Sequence, residues 1–268
     1  MKKVFLSLLS LFGLAANAQP VDYPEYEKHQ FTDTRFNTKA SLPYRILYPA
    51  NFDASKKYPV VLFLHGAGER GSDNVAQLTH GAELFLSESF RQSYPAIVVF
   101  PQAAEDDYWV NVEVERAPNN NVFHFKPLNA PKTQSMALLQ GLVLDLKERD
   151  YIDADNMLVM GLSMGGMGTL DIIASMPSSF RAAVAICGGA HETLAPIIAK
   201  STPVWAFHGS DDEVVPLSAS EEIINAIIAH EGDAKLKIYD GVGHDSWNNA
   251  FEEPELISWL FSYTDFRP

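Results

Sequence analysis

The chain has 268 residues, 47% of them hydrophobic, and a formal net charge of −14. That length suits one large α/β domain, and an acidic surface repels phosphate backbones and anionic headgroups, so neither nucleic acid nor a membrane surface is an expected partner. The single cysteine, Cys187, excludes an internal disulfide, and the eight histidines form no Cys/His cluster at ligand spacing, so no metal is expected.

Residues 1–18 read as a secretory signal peptide. Lys2 and Lys3 precede an apolar run over residues 4–16, and "ANA" offers small residues at the cleavage positions. The run is shorter than the ~20 residues a membrane span needs, and no cysteine follows it to take a lipid. Residues 19–268 are then expected to form one domain, secreted or periplasmic. The sequence sets no oligomeric state.

From there, short apolar runs alternate with helix-length stretches, the pattern of a mostly parallel sheet covered by helices on both faces. Strands are expected at residues 44–48, 59–64, 96–100, 157–161, 182–187, 204–208 and 236–239, with 26–32 pairing with 44–48 as an antiparallel edge. Helices are expected at 75–90, 133–149, 164–176, 191–199, 217–230 and 255–263, Pro177 ending the third. Residues 103–132 carry "APNNN" and no strong periodicity, and a loop of that length inside a compact domain is expected to act as a lid or binding loop. The crevice of an open α/β sheet lies at the carboxyl ends of its strands. Functional residues are therefore sought just after each strand.

After the strand at 59–64, "HGAGERG" places Gly66, Gly68 and Gly71 at the G-x-G-x-x-G spacing of a dinucleotide fingerprint. Context opposes that reading. "SDN" follows Gly71 where a helix should be under way, and the next strand ends at Phe100 and Pro101 rather than on an acidic residue. Export also removes the chain from cytoplasmic cofactor pools, so no cofactor is expected.

After the strand at 157–161, "GLSMG" sets Ser163 on a tight strand-to-helix turn, with Gly161 and Gly165 leaving room for it and a helix N-terminus beneath it. A serine needs a base to become a nucleophile, and the base needs a carboxylate to orient it. Asp211, Asp212 and Glu213 follow the strand at 204–208, and His244 in "GVGHDSW" follows the strand at 236–239. Three roles fall at three strand ends, in the order serine, acid, histidine. Asp211 and Asp212 compete for the acid, with Glu213 behind them. His208 is expected to brace its loop rather than act as base, and His191 to line the pocket or cap a helix. His29, His80, His124 and His230 lack strand-end context and are expected to be solvated or structural. Cys187, within "AAVAICGG", is expected to be an inert core thiol.

"GLSMGG", "HGSDDEVVP" and "GVGHDSW" resemble the three catalytic segments of the α/β-hydrolase superfamily. With "LPYRILYPANFDASKKYPVVLFLHGAGERGSDN", Pro101, Gln102 and Trp109, the chain is similar over nearly all of its mature length to the serine esterase and predicted-peptidase group related to carboxylesterases, prolyl oligopeptidases and feruloyl esterases. The resemblance implies an α/β-hydrolase fold and a serine carboxylic ester hydrolase working through an acyl-enzyme. In that group's H-G-x-x-D-x-x-V-P segment the acid is the fifth residue, which implies Asp212; the nucleophile is then Ser163 and the base His244. It also implies that "HGAGERG" supplies the Ala67 amide to an oxyanion hole, paired with the Met164 amide. Tyr108, Trp109 and Trp247 adjoin the expected site loops, and Trp109 and Trp247 are expected to bind substrate. No long apolar lid is evident, which disfavours a lipase. Family and compartment together point to a small-molecule or polysaccharide-linked ester as substrate, with acyl or feruloyl groups in view. A peptidase or thioesterase with the same triad, or a non-catalytic ligand-binding homologue, is the alternative.

Overall fold

The computed structural model describes residues 21–33, 40–116 and 121–265. The expected signal peptide, residues 1–18, lies outside the described residues. Among the described residues no helix is long and apolar enough to cross a membrane.

Among the described residues, ten strands form two sheets: β1 (Tyr26–Thr32), β2 (Ser41–Leu47), β3 (Tyr58–Leu64), β4 (Ile97–Pro101), β5 (Val112–Glu115), β6 (Val122–Phe125), β7 (Ile152–Leu162), β8 (Ala182–Ile186), β9 (Val204–Gly209) and β10 (Ala234–Tyr239). The large sheet runs β1-β2-β4-β3-β7-β8-β9-β10. The β1–β2 and β2–β4 pairs are antiparallel, and every pair from β4–β3 onward is parallel. The helices are α1 (Ala82–Leu86), α2 (Glu88–Ser93), α3 (Gln134–Lys147), α4 (Met164–Ser175), α5 (Ala195–Ser201), α6 (Leu217–Ala229), α7 (Trp247–Phe251) and α8 (Leu256–Ser262).

The continuous apolar run of β3 has a direct cause. Side chains alternate across a strand. Val60, Leu62 and Leu64 join the core cluster that holds Leu139 of α3, Leu170 of α4 and Ile223 of α6. Val61 and Phe63 join the opposite cluster, with Phe85 of α1 and Leu260 of α8. A strand buried on both faces has no position left for a polar residue. The edge strand β10 differs, with half-exposed and exposed positions and Lys235 and Lys237 along it, as edges that avoid further pairing do.

Four expectations need correction. Residues 75–90 are not one helix: a 3-10 turn at Ala76–Leu78 precedes α1 and α2, broken by Gly81 at φ +83 and by Ser87, whose hydroxyl accepts from the Phe90 amide as the cap of α2. Residues 103–132 are not free of regular structure, because β5 and β6 pair as an antiparallel hairpin. "VEVE" and "VFHF" carry the period-two alternation that places Val112, Val114, Phe123 and Phe125 on one face. The 191–199 helix starts as a 3-10 turn at Glu192–Leu194 and continues as α5 to Ser201. The short α7, directly after "GVGHDS", was not anticipated.

Candidate active site

The parallel strands β3, β7 and β9 end on one side of the sheet, and their following loops converge there. β7 delivers Ser163 at φ +53, ψ −120, a strained conformation of order 1–3 kcal/mol that the surroundings must hold in place. Two glycines make that possible. A Cβ on Gly165 would lie 1.9 Å from the Leu64 carbonyl oxygen, and one on Gly161 would lie 2.4 Å from that of Gly165. The turn is tied to the next strand by the Ser163 amide, which donates to the Ile186 carbonyl at 2.8 Å.

Ser163 Oγ lies 2.9 Å from His244 Nε2, and His244 Nδ1 lies 2.7 Å from Asp212 Oδ2. The other carboxylate oxygen, Oδ1, accepts from the amides of Val214 and Val215, both at 2.9 Å. Asp211 is excluded from this chain, its Oδ1 accepting instead from Ser210 Oγ. Glu213 is exposed. His208 makes a contact that its bracing role did not foresee. Its Nε2 lies 3.1 Å from Asp212 Oδ2, with both side chains fully buried, and 3.0 Å from the Val215 carbonyl oxygen. A carbonyl and a carboxylate only accept, so the hydrogen sits on Nε2. Burial pushes the Asp212 carboxyl up, but the hydrogen bonds from His208 and then His244 outweigh it and hold the group well below the ordinary carboxylate range. Asp212 is thus an anion held by two imidazoles and two amides.

"HGAGERG" becomes a loop and a 3-10 turn at Ala67–Glu69. Ala67 opens that turn and Met164 opens α4, so neither amide has a partner within its own helix, and both residues line the same cavity as Ser163. The loop is braced from behind. His65 Nε2 accepts from the Ala103 amide, Nδ1 donates to the Gly66 carbonyl, and burial lowers this imidazole to about 4, leaving it neutral. Arg70 Nε donates to the Ala67 carbonyl, and Gln102 Nε2 to that of Glu69.

Above Ser163 opens a cavity of about 670 Å³, within the range of small-molecule sites. Trp247 lines it, 5.4 Å from the His244 ring at 87°. Trp109 does not. It is fully buried, its Nε1 donates to the His65 carbonyl, and its Cβ leaves room for nothing larger than Gly168 on α4. Trp109 is a core residue under the loop, which corrects the substrate-binding expectation. Tyr108 does line the cavity, with Arg70 against its ring at 4.6 Å. The hairpin contributes Val114 and Phe123, and Asn121 Nδ2 donates to the Val214 carbonyl at 2.9 Å, fastening the hairpin over the acid's loop. His191 caps a 3-10 turn by accepting from the Thr193 amide.

Sequence reasoning missed several cavity residues, Glu69 and His80 among them. Glu69 was hidden inside a glycine motif read for its backbone, and His80 follows no strand. Cys187 Sγ, Asp212 and His244 lie within 4.8 Å of one another, the grouping among the described residues compact enough to ligate an ion. The fit is poor. Burial pushes the thiol far above its ordinary value, whereas a metal needs the thiolate, and the facing imidazole and carboxylate atoms already bond each other.

The sequence profile of the phospholipase/carboxylesterase family matches residues 52–255. A curated relative, carboxylesterase SOBER1 of Arabidopsis thaliana, is 24% identical over 214 residues, covering 75% of this chain and 88% of its own. Among solved structures, a thermostable esterase is 30% identical with a TM-score of 0.77, over 89% of this chain. The matched chain spans only 63% of that esterase's length. Esterase 2 of Thermogutta terrifontis, solved phosphonylated by cyclosarin, superposes with a TM-score of 0.63 at 14% identity, covering 92% and 97% of the two chains, a likeness of fold alone.

Proposed function

The chain belongs to the phospholipase/carboxylesterase family of α/β-hydrolase serine esterases, and from that premise we propose that Ser163, His244 and Asp212 hydrolyse carboxylic esters, acyl or feruloyl groups on polysaccharides among them, outside the cytoplasm. The single observation that carries the assignment is the unbroken contact chain from Ser163 Oγ through His244 to Asp212, 2.9 Å and 2.7 Å long.

Ser163 Oγ attacks the ester carbonyl carbon while His244 Nε2 takes its proton. The carbonyl π pair moves onto oxygen, where the Ala67 and Met164 amides receive the negative charge. Collapse expels the alcohol, which takes the proton back from His244, and an acyl group remains on Ser163. Water, deprotonated by the same imidazole, repeats the sequence and releases the acid. Asp212 keeps the hydrogen of His244 on Nδ1 and stabilises the imidazolium while it exists.

The apolar cavity wall of Met167, Phe123, Val114 and Val214 suits an acyl group. Lys2, Lys3 and the run over residues 4–16 support export. The test is a substrate panel of p-nitrophenyl esters, methyl ferulate, acetylated xylan and a prolyl peptide. Turnover of the esters, with kcat lost by about 10⁴-fold or more in a folded Ser163→Ala variant, is the expected result. Faster cleavage of the peptide than of any ester, or a Ser163→Ala variant with wild-type rates, overturns the proposal.

A further inference from the structure

The cavity lining falls into two groups. The hairpin and the loop after β9 form the mainly apolar one already described, with Arg116 and Asn121 beside Val114 and Phe123. The other is polar: Glu69, His80 and Trp247, none of which the ester-cleaving steps use. His80 Nε2 lies 3.7 Å from Glu69 Oε1, the His80 ring lies 5.1 Å from Trp247, and Trp247 packs on His244. This group therefore borders the catalytic imidazole directly. It also borders the nucleophile, since a Cβ added to Gly66 would sit 3.1 Å from Glu69 Oε2 and 3.6 Å from Ser163 Cβ.

A carboxyl in this place is a liability for the chemistry. Its side chain is only 14% exposed, and burial pushes its pKa up against the opposing pull of the Gly66 and Glu69 amides and of His244. Any negative charge on it opposes the oxyanion forming beside the same loop. Its carboxylate accepts from the Gly66 and Glu69 amides, and Arg70, Gln102 and His65 hold the same loop as well. The gap to His80 is the informative feature. At 3.7 Å the pair is too far apart for a direct hydrogen bond, yet one oxygen at about 2.8 Å from each atom would bridge them. The neighbouring carboxylate favours the tautomer with hydrogen on Nε2, and burial lowers the imidazole's pKa toward the neutral form. The gap thus presents an acceptor on one side and a donor on the other.

We propose that Glu69 and His80 form a subsite for a hydroxyl group on the alcohol portion of the substrate, so that the preferred esters are those of polyols such as sugars. The hydroxyl donates to Glu69 and accepts from His80. An ammonium group has no acceptor for His80, an anionic group is repelled by Glu69, and an aryl or alkyl alcohol leaves both unmatched. A polar site of this kind penalises a ligand that lacks the matching hydroxyl, because its own groups are then desolvated and unpaired. The inference rests on the triad reading above and adds the chemistry of the leaving alcohol to it.

The experiment compares two acetates with the same acyl group, an acetylated xylo-oligosaccharide and p-nitrophenyl acetate, in the wild type, Glu69→Gln and His80→Leu. The wild type is expected to favour the sugar ester. Each substitution should lower the ratio of the two kcat/KM values by about tenfold or more, chiefly through KM for the sugar ester. Equal losses on both esters would make the pair a brace of the oxyanion loop and overturn the proposal, as would an unchanged ratio. If Glu69→Gln does not fold, His80→Leu decides alone. Labelling of Ser163 by a fluorophosphonate separates the layers: a wild type that labels but rejects the sugar ester sinks the subsite only, whereas one that neither labels nor turns over either ester sinks the triad reading.

Discussion

The floor of the cavity and its walls are built by different means. The floor, from β7 through Ser163 into α4, is fixed by backbone packed on backbone: Gly161, Gly165 and the Leu64 carbonyl leave no slack. The walls hang from loops and are fixed by side chains, Asn121 reaching Val214 on one side and Glu69 facing His80 on the other. Chemistry that depends on tenths of an ångström sits on the first, and recognition that must differ between substrates sits on the second. Damage to the floor should therefore abolish turnover or folding, and damage to a wall should redistribute KM among substrates.

The sharpest way to break that contrast is Gly165→Ala. A methyl 1.9 Å from a main-chain oxygen cannot be absorbed by a rotamer change, so a cost of about 3 kcal/mol or more, with loss of the Ser163 turn and its activity, is expected from urea unfolding and ester assays. A stable, active variant would show that the floor has slack after all. Phe123→Ala on the hairpin, by contrast, should leave unfolding near wild type and raise KM for bulky acyl esters.

Next in size is the pH response of the brace behind the oxyanion loop. His65 is buried and held at about 4, against about 6.5 for an unfolded histidine. Between those values the unfolded chain takes a proton that the native state refuses, so stability is full above pH 6.5 and falls as the pH drops toward 4. The loss is about 3 kcal/mol at 1.36 kcal/mol per unit. Asp212, held low in the native state, adds its own loss only below the ordinary carboxylate range, so the two windows separate. His65→Gln should be less stable at neutral pH but show a flatter decline across that window in denaturation curves.

The smallest effect sharpens the picture of the acid. His208 donates to Asp212 without reaching the cavity, which makes it a positioning residue. Hydrogen bonds to buried charges are worth about 1.5–3 kcal/mol. His208→Phe should therefore lower kcat about 10- to 100-fold with KM nearly unchanged, and His208→Gln, which keeps an N–H, should recover part of that loss. An equal rise in KM would place His208 in recognition instead.

The same division explains what the sequence disclosed. Ser163 and its glycines were legible because the turn's geometry admits few residues, and His244 because each parallel strand must deliver its loop to one side. Asp212 needed the resemblance to separate it from Asp211, since the choice depends on which carboxylate the Val214 and Val215 amides meet. The walls were harder. Trp109 sat among the expected site loops and proved to be core, because a loop's inward face cannot be told from its outward one by composition. The β5–β6 hairpin is only four residues per strand, and the helix expected over residues 75–90 was broken by Gly81 and Ser87. Glu69 and His80 acquire meaning only once 3.7 Å separates them.

The most direct measurement of the central claim is intact-protein and peptide mass spectrometry after treatment with a fluorophosphonate. One adduct per chain, mapped to Ser163 and slowed by orders of magnitude in His244→Ala, is the expected result. An adduct elsewhere, or labelling of Ser163 at the same rate without His244, would contradict the account.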